Sequence, residues 1–208
     1  MKNLIVVDIQ PEYENYINKQ NSSFIEDFVD YVNGTSKNVV FLYNGYDTLG
    51  MVEEHDYKDW LIDKGVNEIV IENATFYDKG YAFFRYCMDF GGNEDDIASL
   101  VKMMYEKGVN DSRDLDDNFW IDYIKENGSS KLQTLLQNAD DCISIPDLMD
   151  FIKDYKNITL CGGGINECLK EVEISLKALG KKFTILEEYT YEKGGNLSNS
   201  FKYEIGGL

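Results

Sequence analysis

The chain has 208 residues, of which 43% are hydrophobic, and its 38 acidic and 20 basic residues leave a formal net charge of −18. This apolar content is typical of a globular protein with a buried core and excludes a disordered chain. The negative charge repels nucleic-acid backbones and anionic lipids, so we expect neither as a partner. We expect the ligand to be a small molecule.

Short apolar runs alternate with helical patterns in the first part of the chain. Residues 4–9 form an almost continuous apolar run that predicts a buried parallel strand. A helix follows, with Phe24, Phe28 and Val32 on one face. The next predicted elements are a strand at 38–44, a short helix at 57–65 and a third strand at 68–73.

The middle of the chain breaks this alternation. From about 87 to 141, three helical patterns follow one another without a strand, and we interpret this segment as a helical insertion or a lid over the site. The first two patterns end at Gly108 and Gly128, and the third lies around 132–136. After it we predict a helix opened by Pro146, a strand at 157–162, a helix at 169–179, a strand at 182–189 and an edge strand at 201–205.

This alternation predicts one α/β domain over residues 1–208. We expect a Rossmann-like three-layer α/β/α sandwich with a mainly parallel, doubly wound sheet. The first residues lack the long apolar core of a signal peptide, and the four cysteines form no Cys-x-x-Cys pair. We therefore expect reduced thiols and a cytoplasmic protein.

Ligands of such sheets bind beyond the carboxyl ends of the strands, and Asp8 closes the first strand. Its apolar neighbours Val7 and Ile9 would desolvate the carboxylate, raise its pKa and make it a better base. The alternative is that Asp8 only caps a nearby loop or helix.

Cys168 begins the helix that follows the glycine-rich turn 162–164. The positive end of that helix favours a thiolate, and its free N–H groups suit an oxyanion. Glu167 opposes ionisation of the thiol, so the site needs a cation. The alternative is a small buried thiol, which is the role we predict for Cys161. The turn fits neither a dinucleotide fingerprint nor a phosphate-binding loop.

Lys79 is the predicted cation, because it stands among aromatic residues in "FYDKGYAFFRY". A lysine held beside a thiolate and a carboxylate would stay charged and lower the pKa of the cysteine. The alternative is a solvated loop lysine. Arg85 is a second contact for an anionic group of the substrate.

Three segments, "LIVVDIQ" at 4–10, "KGYAFF" at 79–84 and "CGGGINECL" at 161–169, resemble the isochorismatase-like cysteine hydrolase superfamily. This family includes nicotinamidases and N-carbamoylsarcosine amidases. The resemblance is clearest over 4–11, 76–84 and 158–190, and it implies a triad. Asp8 would be the general base, Lys79 the supporting cation and Cys168 the nucleophile.

The resemblance also implies an oxyanion site in the turn before Cys168. The Cys168 N–H and another amide of the turn would form it, with a cis peptide bond expected between Gly163 and Gly164. The residues that we assign to this turn are Gly163, Gly164 and Ile165. We assign substrate binding to residues in or beside the matching segments, namely Gln10, Tyr13, Phe84 and Arg85.

Two features depart from the family. Nicotinamidases bind a metal through an Asp-x-His pair and a second histidine, whereas this chain has one histidine, His55, and Asp47 is followed by Thr48 and Leu49. We therefore expect no metal, no other cofactor and a substrate other than nicotinamide. The residues before Cys168 also differ from the small apolar residues and threonine usual in the family.

The leading hypothesis is a metal-independent cysteine hydrolase that cleaves a small amide, ureide or related C–N bond. A different class is also consistent with the sequence: a non-catalytic protein that binds or senses a small ligand on the same fold. A third hypothesis makes the helices of 87–141 the interface of a homo-oligomer.

Overall fold

The structure is a computed structural model that describes residues 2–80, 93–127, 143 and 147–192. The strands are β1 Asn3–Val7, β2 Asn38–Tyr43, β3 Thr75–Asp78, β4 Ile158–Gly163 and β5 Phe183–Tyr191. The helices are α1 Glu14–Gln20, α2 Phe24–Gly34, α3 Tyr46–Leu49, α4 Glu54–Asp63, α5 Glu68–Asn73, α6 Glu94–Lys107, α7 Asp117–Asn127, α8 Leu148–Ile152 and α9 Cys168–Ala178. None of the helices in these ranges has the length and apolar character needed to cross a bilayer.

The five strands form one sheet in the order β3-β2-β1-β4-β5, and every pairing in it is parallel. Helices flank the sheet, which confirms the predicted Rossmann-like α/β sandwich. The strand order reverses at β1, because β2 and β3 lie on one side of it and β4 and β5 on the other. The carboxyl ends of β1 and β4 therefore border the crevice where such folds bind ligands.

Alternate residues of the central strand β1 face opposite sides of the sheet. Leu4 and Val6 join the core that contains the predicted apolar face of α2. Ile5 and Val7 join the opposite core, which contains the apolar stripe of α9. That stripe consists of Leu169, Val172 and Leu176. The sheet is thus covered on both faces, as the near-continuous apolar sequence of β1 requires.

The predicted third strand at 68–73 is wrong. These residues form helix α5, and the strand is β3, which follows directly at Thr75–Asp78. The β-branched run favoured a strand, but local propensity yields to packing. In a strand Ile69 and Ile71 would share one face, whereas here Ile69 is 72% exposed and Ile71 only 7%. The shift matters for function, because it puts Lys79 at the carboxyl end of a strand.

The first two helical patterns of the insertion are confirmed as α6 and α7, and Gly108 ends α6 with a φ of 69°. A separate core joins these helices to the outer face of α9 through Ile174 and Ala178. Glu94 at the start of α6 accepts an ion pair from Lys170 of α9 at 2.8 Å. The described part of the insertion therefore packs on the helix that begins with Cys168. The patterns at 132–136, Pro146 and 201–205 lie outside the described residues.

Candidate active site

Three side chains from distant parts of the chain meet at the carboxyl edge of the sheet. Asp8 follows β1, Lys79 follows β3, and Cys168 opens α9 after the turn that leaves β4. Asp8 is fully buried, and Lys79 and Cys168 are each 4% exposed. Lys79 Nζ lies 3.3 Å from Asp8 Oδ2, and the Cys168 thiol interacts electrostatically with both groups. The structure thus brings the predicted triad residues together.

Asn44, which the sequence analysis missed, connects the two charged groups. Its Nδ2 donates to Asp8 Oδ2 at 3.1 Å, and its Oδ1 accepts from Lys79 Nζ at 2.8 Å. Asn44 is fully buried and follows β2, the neighbour of β1 in the sheet. A polar residue closing the apolar run "NVVFLY" was the available signal, since it mirrors Asp8 at the end of β1.

Gln10 and Tyr13 both form hydrogen bonds with Asn44. Gln10 Oε1 accepts from the Asn44 N–H at 2.9 Å, and Gln10 Nε2 donates to the Asn44 carbonyl at 3.3 Å. The Tyr13 hydroxyl accepts from Asn44 Nδ2 at 3.0 Å. Both residues are buried and orient Asn44, so their direct contact with substrate stays a prediction. The other two predicted substrate contacts, Phe84 and Arg85, lie outside the described residues.

The backbone of Asp8 adopts an unusual conformation, with a φ of 51°. Positive φ is uncommon for residues other than glycine, and it persists where surrounding contacts hold it. Here the Asp8 N–H donates to the Leu42 carbonyl at 2.9 Å, and the buried Tyr191 hydroxyl donates to the Asp8 carbonyl at 2.6 Å. Tyr57 adds a hydrogen bond to the Ile9 carbonyl at 2.7 Å. These contacts fix the direction in which the carboxylate leaves β1.

Burial and charge set the proton affinities of Asp8 and Lys79. Burial raises the pKa of Asp8 above its usual value, although Lys79, Cys168 and Asn44 partly offset the effect. Burial works against the charged form of Lys79, but the negative charges around it, above all that of Asp8, raise its pKa. The lysine therefore stays protonated, while the carboxylate is a stronger base than an exposed aspartate.

The surroundings of Cys168 oppose the predicted thiolate. Burial, followed by the charge of Asp8, raises the pKa of the Cys168 thiol well above its usual value, and the opposing effect of Lys79 is smaller. This shift favours the protonated thiol at rest. The Asp8 carboxylate lies beside the thiol, and its Oδ1 is buried without a well-aligned hydrogen-bond donor among the described residues.

The glycines before Cys168 allow close packing rather than a nucleotide site. A Cβ on Gly162 would lie 1.9 Å from the Val7 carbonyl oxygen, and a Cβ on Gly163 would lie 2.4 Å from the Tyr191 ring. Gly162 also has a φ of 109°. The peptide bonds of the described residues are all trans, so the predicted cis bond between Gly163 and Gly164 is wrong. Glycine torsions make the turn instead.

Two amide groups of the turn already donate hydrogen bonds to backbone carbonyls. The Glu167 N–H donates to the Gly164 carbonyl at 2.9 Å, and the Ile165 N–H donates to the Tyr191 carbonyl at 3.0 Å. Ile165 is therefore not available as an oxyanion donor in this conformation. The Cys168 N–H, at the first position of α9, donates no hydrogen bond within the described ranges. It remains the amide best suited to an oxyanion.

Within the described parts of the chain, no group of three or more His, Cys, Asp or Glu side chains is arranged to hold a metal ion. His55 lies on the surface with its side chain 70% exposed, next to Glu53 and Asp56. It takes no part in the Asp8–Lys79–Cys168 cluster.

Comparison of the chain with protein-family models, with curated proteins and with solved structures gave no match. An assignment of function therefore depends on the three short sequence segments and on the geometry of the buried cluster.

Proposed function

We propose that this protein is a metal-independent, isochorismatase-like cysteine hydrolase that cleaves a small amide, ureide or related C–N bond. One observation carries the proposal: a buried Asp8–Lys79 pair stands beside a cysteine at the start of a helix, at the point where the strand order reverses. Nucleophilic cysteines need an adjacent base and a third group that orients it, and this cluster supplies all three.

The reaction would begin when Cys168 Sγ attacks the carbonyl carbon of the substrate while Asp8 takes the thiol proton. The negative charge on the carbonyl oxygen would be stabilised by the Cys168 N–H and by the Lys79 ammonium group. Asp8 would then pass its proton to the leaving nitrogen as the C–N bond breaks, which leaves a thioester. Water would attack the thioester with Asp8 as base, releasing the acid and restoring the thiol.

The raised pKa of Asp8 supports this order of events. A carboxylate with ordinary acidity is a poor acceptor for a thiol proton, and burial makes Asp8 a better one. Lys79 keeps its proton, so it compensates the charge of Asp8 in the resting state and the charge of the oxyanion during attack. Asn44 holds both groups in register through its two hydrogen bonds.

A second function is favoured by the deep burial of the Cys168 thiol and by its raised pKa. These are also properties of an inert core cysteine, and they suit a protein that binds a small metabolite without turnover. On that alternative, Asp8 and Lys79 would serve as a polar anchor for the ligand.

Ammonia release from a panel of small primary amides and ureides distinguishes the two functions. The hydrolase proposal predicts turnover that Cys168→Ala abolishes, together with a thioester adduct on the Cys168 peptide in quenched reactions. The matched control is Cys161→Ala, since Cys161 is also buried but lies within β4. Turnover that survives Cys168→Ala contradicts the proposal, as does saturable binding of these compounds with no ammonia released.

A further inference from the structure

The amino-terminal edge of the sheet, opposite Asp8 and Cys168, has a repeated sequence feature. Four of the five strands begin within two residues of a lysine. β1 and β2 each begin at the asparagine of a Lys-Asn pair, so a lysine directly precedes each strand. β4 follows a third such pair, and β5 follows two consecutive lysines. The lysines are Lys2, Lys37, Lys156, Lys181 and Lys182.

Strand register aligns these starts. Asn3 pairs with Asn38 on β2 and with Ile158 on β4, and Ile158 pairs with Phe183 on β5. The residues just before the strands therefore lie side by side, about 4.8 Å apart between neighbouring strands. The lysines that precede β2, β1, β4 and β5 form a row that spans roughly 14 Å, or three strand spacings. We call it the lysine row.

The asparagines hold the backbone of the lysine row in place. Asn38 Nδ2 donates to Asn3 Oδ1 at 3.2 Å, and Asn3 Nδ2 donates to the Lys156 carbonyl at 2.6 Å. The Asn38 N–H donates to the Lys2 carbonyl at 2.9 Å. These bonds connect the backbone at the beginning of three adjacent strands, so the lysine side chains extend from a fixed backbone.

All five lysines line one cavity of about 610 Å³. The rings of Tyr155 and Phe183 form an aromatic part of the cavity wall. None of the described residues that line the cavity is Asp or Glu. The polar partners that the structure gives two of these lysines are neutral. Lys37 Nζ donates to the Tyr31 hydroxyl at 2.7 Å, and Lys181 Nζ donates to the Lys153 carbonyl and to the Tyr155 carbonyl, the latter at 3.3 Å. A quarter of the 20 basic residues thus surround a cavity whose described lining contains no carboxylate, in a chain of net charge −18.

We propose that this cavity binds a small molecule that carries a chain of phosphates. Lysine ammonium groups are point charges that suit phosphate oxygens, and long side chains from neighbouring strands can converge on one oligophosphate. The aromatic wall offers a surface for a ring, as in a nucleotide. The site lies on the opposite edge from Cys168, so the inference goes beyond the proposed hydrolase function and is independent of it.

Calorimetric titration of the full chain with tripolyphosphate, and separately with ATP, tests the site. Metal-free buffer of low ionic strength keeps electrostatic binding strong. The test variant is Lys156→Glu/Lys182→Glu, because both side chains are exposed and line the cavity. The control is Lys102→Glu/Lys125→Glu, an equal change of charge at side chains 58% and 70% exposed on α6 and α7.

The proposal predicts one saturable site that weakens at least about tenfold in the test variant and stays within about twofold in the control. Equal affinity for the two probes would mean that the phosphate chain accounts for the binding. Tighter binding of ATP would mean that Tyr155 and Phe183 also contribute. Absence of saturable binding up to about 10 mM of either probe overturns the site. Equal weakening in the two variants also overturns it, because net charge alone then explains the binding. Amide turnover is not measured, so failure here leaves the hydrolase proposal intact.

Discussion

The two edges of the sheet carry charge in opposite ways. At the carboxyl edge, Asp8 and Lys79 are buried, lie 3.3 Å apart and share Asn44 as a partner. At the amino edge, the lysine row is at least partly exposed around an open cavity, and no described residue that lines this cavity is Asp or Glu. Buried pairs depend strongly on each member, whereas solvated charges contribute little to stability. A buried, paired cluster suits chemistry, whereas a solvated row of lysines suits the capture of an anionic ligand.

The largest expected effect is on turnover at the carboxyl edge. Cys168→Ala removes the nucleophile, and the rate of ammonia release should fall by about 10⁴-fold or more. Cys161→Ala should retain most of the activity, because Cys161 lies within β4 and packs in the core on the other face of the sheet from Cys168. A fall in both variants alike would mean that loss of packing, and not loss of the nucleophile, explains the result.

The next effect is on stability. Lys79→Met leaves the Asp8 carboxylate buried without its cation, and the free energy of unfolding should fall by about 3–5 kcal/mol. Adding Asp8→Asn removes the unpaired charge and should restore much of this loss. Chemical denaturation at pH 7 measures both changes.

Lys58→Met is the control for that experiment, because Lys58 pairs with Glu54 at the surface, with side chains 35% and 48% exposed. Its cost should be below about 1 kcal/mol. If Lys79→Met costs no more than Lys58→Met, the buried pair does not behave as described.

A smaller effect concerns pH. Asp8 acts as a base only above its raised pKa, so turnover should fall as the pH drops through that value. Asn44→Ala removes a hydrogen bond that lowers the pKa of Asp8, so the acid limb should move to higher pH. The pH profile of kcat/KM measures the shift. Tyr13→Phe removes the hydroxyl that accepts from Asn44 Nδ2 and donates to Met51 Sδ, but leaves the bond between Asn44 and Asp8, so it should move the limb less. An unmoved limb in Asn44→Ala would contradict the role of Asn44.

The smallest effect is on stability at the amino edge. Lys156→Glu/Lys182→Glu changes two exposed side chains, and the free energy of unfolding should change by no more than about 0.5 kcal/mol. The same denaturation experiment measures it. A loss as large as that of Lys79→Met would show that the lysine row is part of the fold's stability, and the contrast between the edges would then fail.

The sequence predicted four of the five strands and the edge of the sheet at which Asp8 and Cys168 lie. Apolar runs marked β1, β2, β4 and β5, and chemistry-bearing residues stood where those runs ended. The strand predicted at 68–73 is wrong, because the spacing of its isoleucines fits either a strand or a helix and only packing decides between them.

Features that depend on neighbours across the fold could not be predicted. The proton affinity of Cys168 is set by its depth and by Asp8, which lies 160 positions earlier in the chain, while the helix start alone favoured a thiolate. Asn44 acquires its role from the adjacency of β1, β2 and β3, which no local pattern reveals. The lysine row likewise emerges only when the strand register is known.

The rate of Cys168 alkylation by iodoacetamide as a function of pH, in the native protein and in Asp8→Asn, tests the central claim most directly. Mass spectrometry of the labelled peptides separates Cys168 from Cys161. With Asp8 as the base, native labelling should follow the ionisation of Asp8 and be measurable well below pH of about 8.5, and Asp8→Asn should slow it about 100-fold or more. Identical profiles in the two proteins would contradict the claim that Asp8 activates Cys168. Faster labelling in Asp8→Asn would also contradict it, because the charge of Asp8 would then act only by raising the pKa of the thiol.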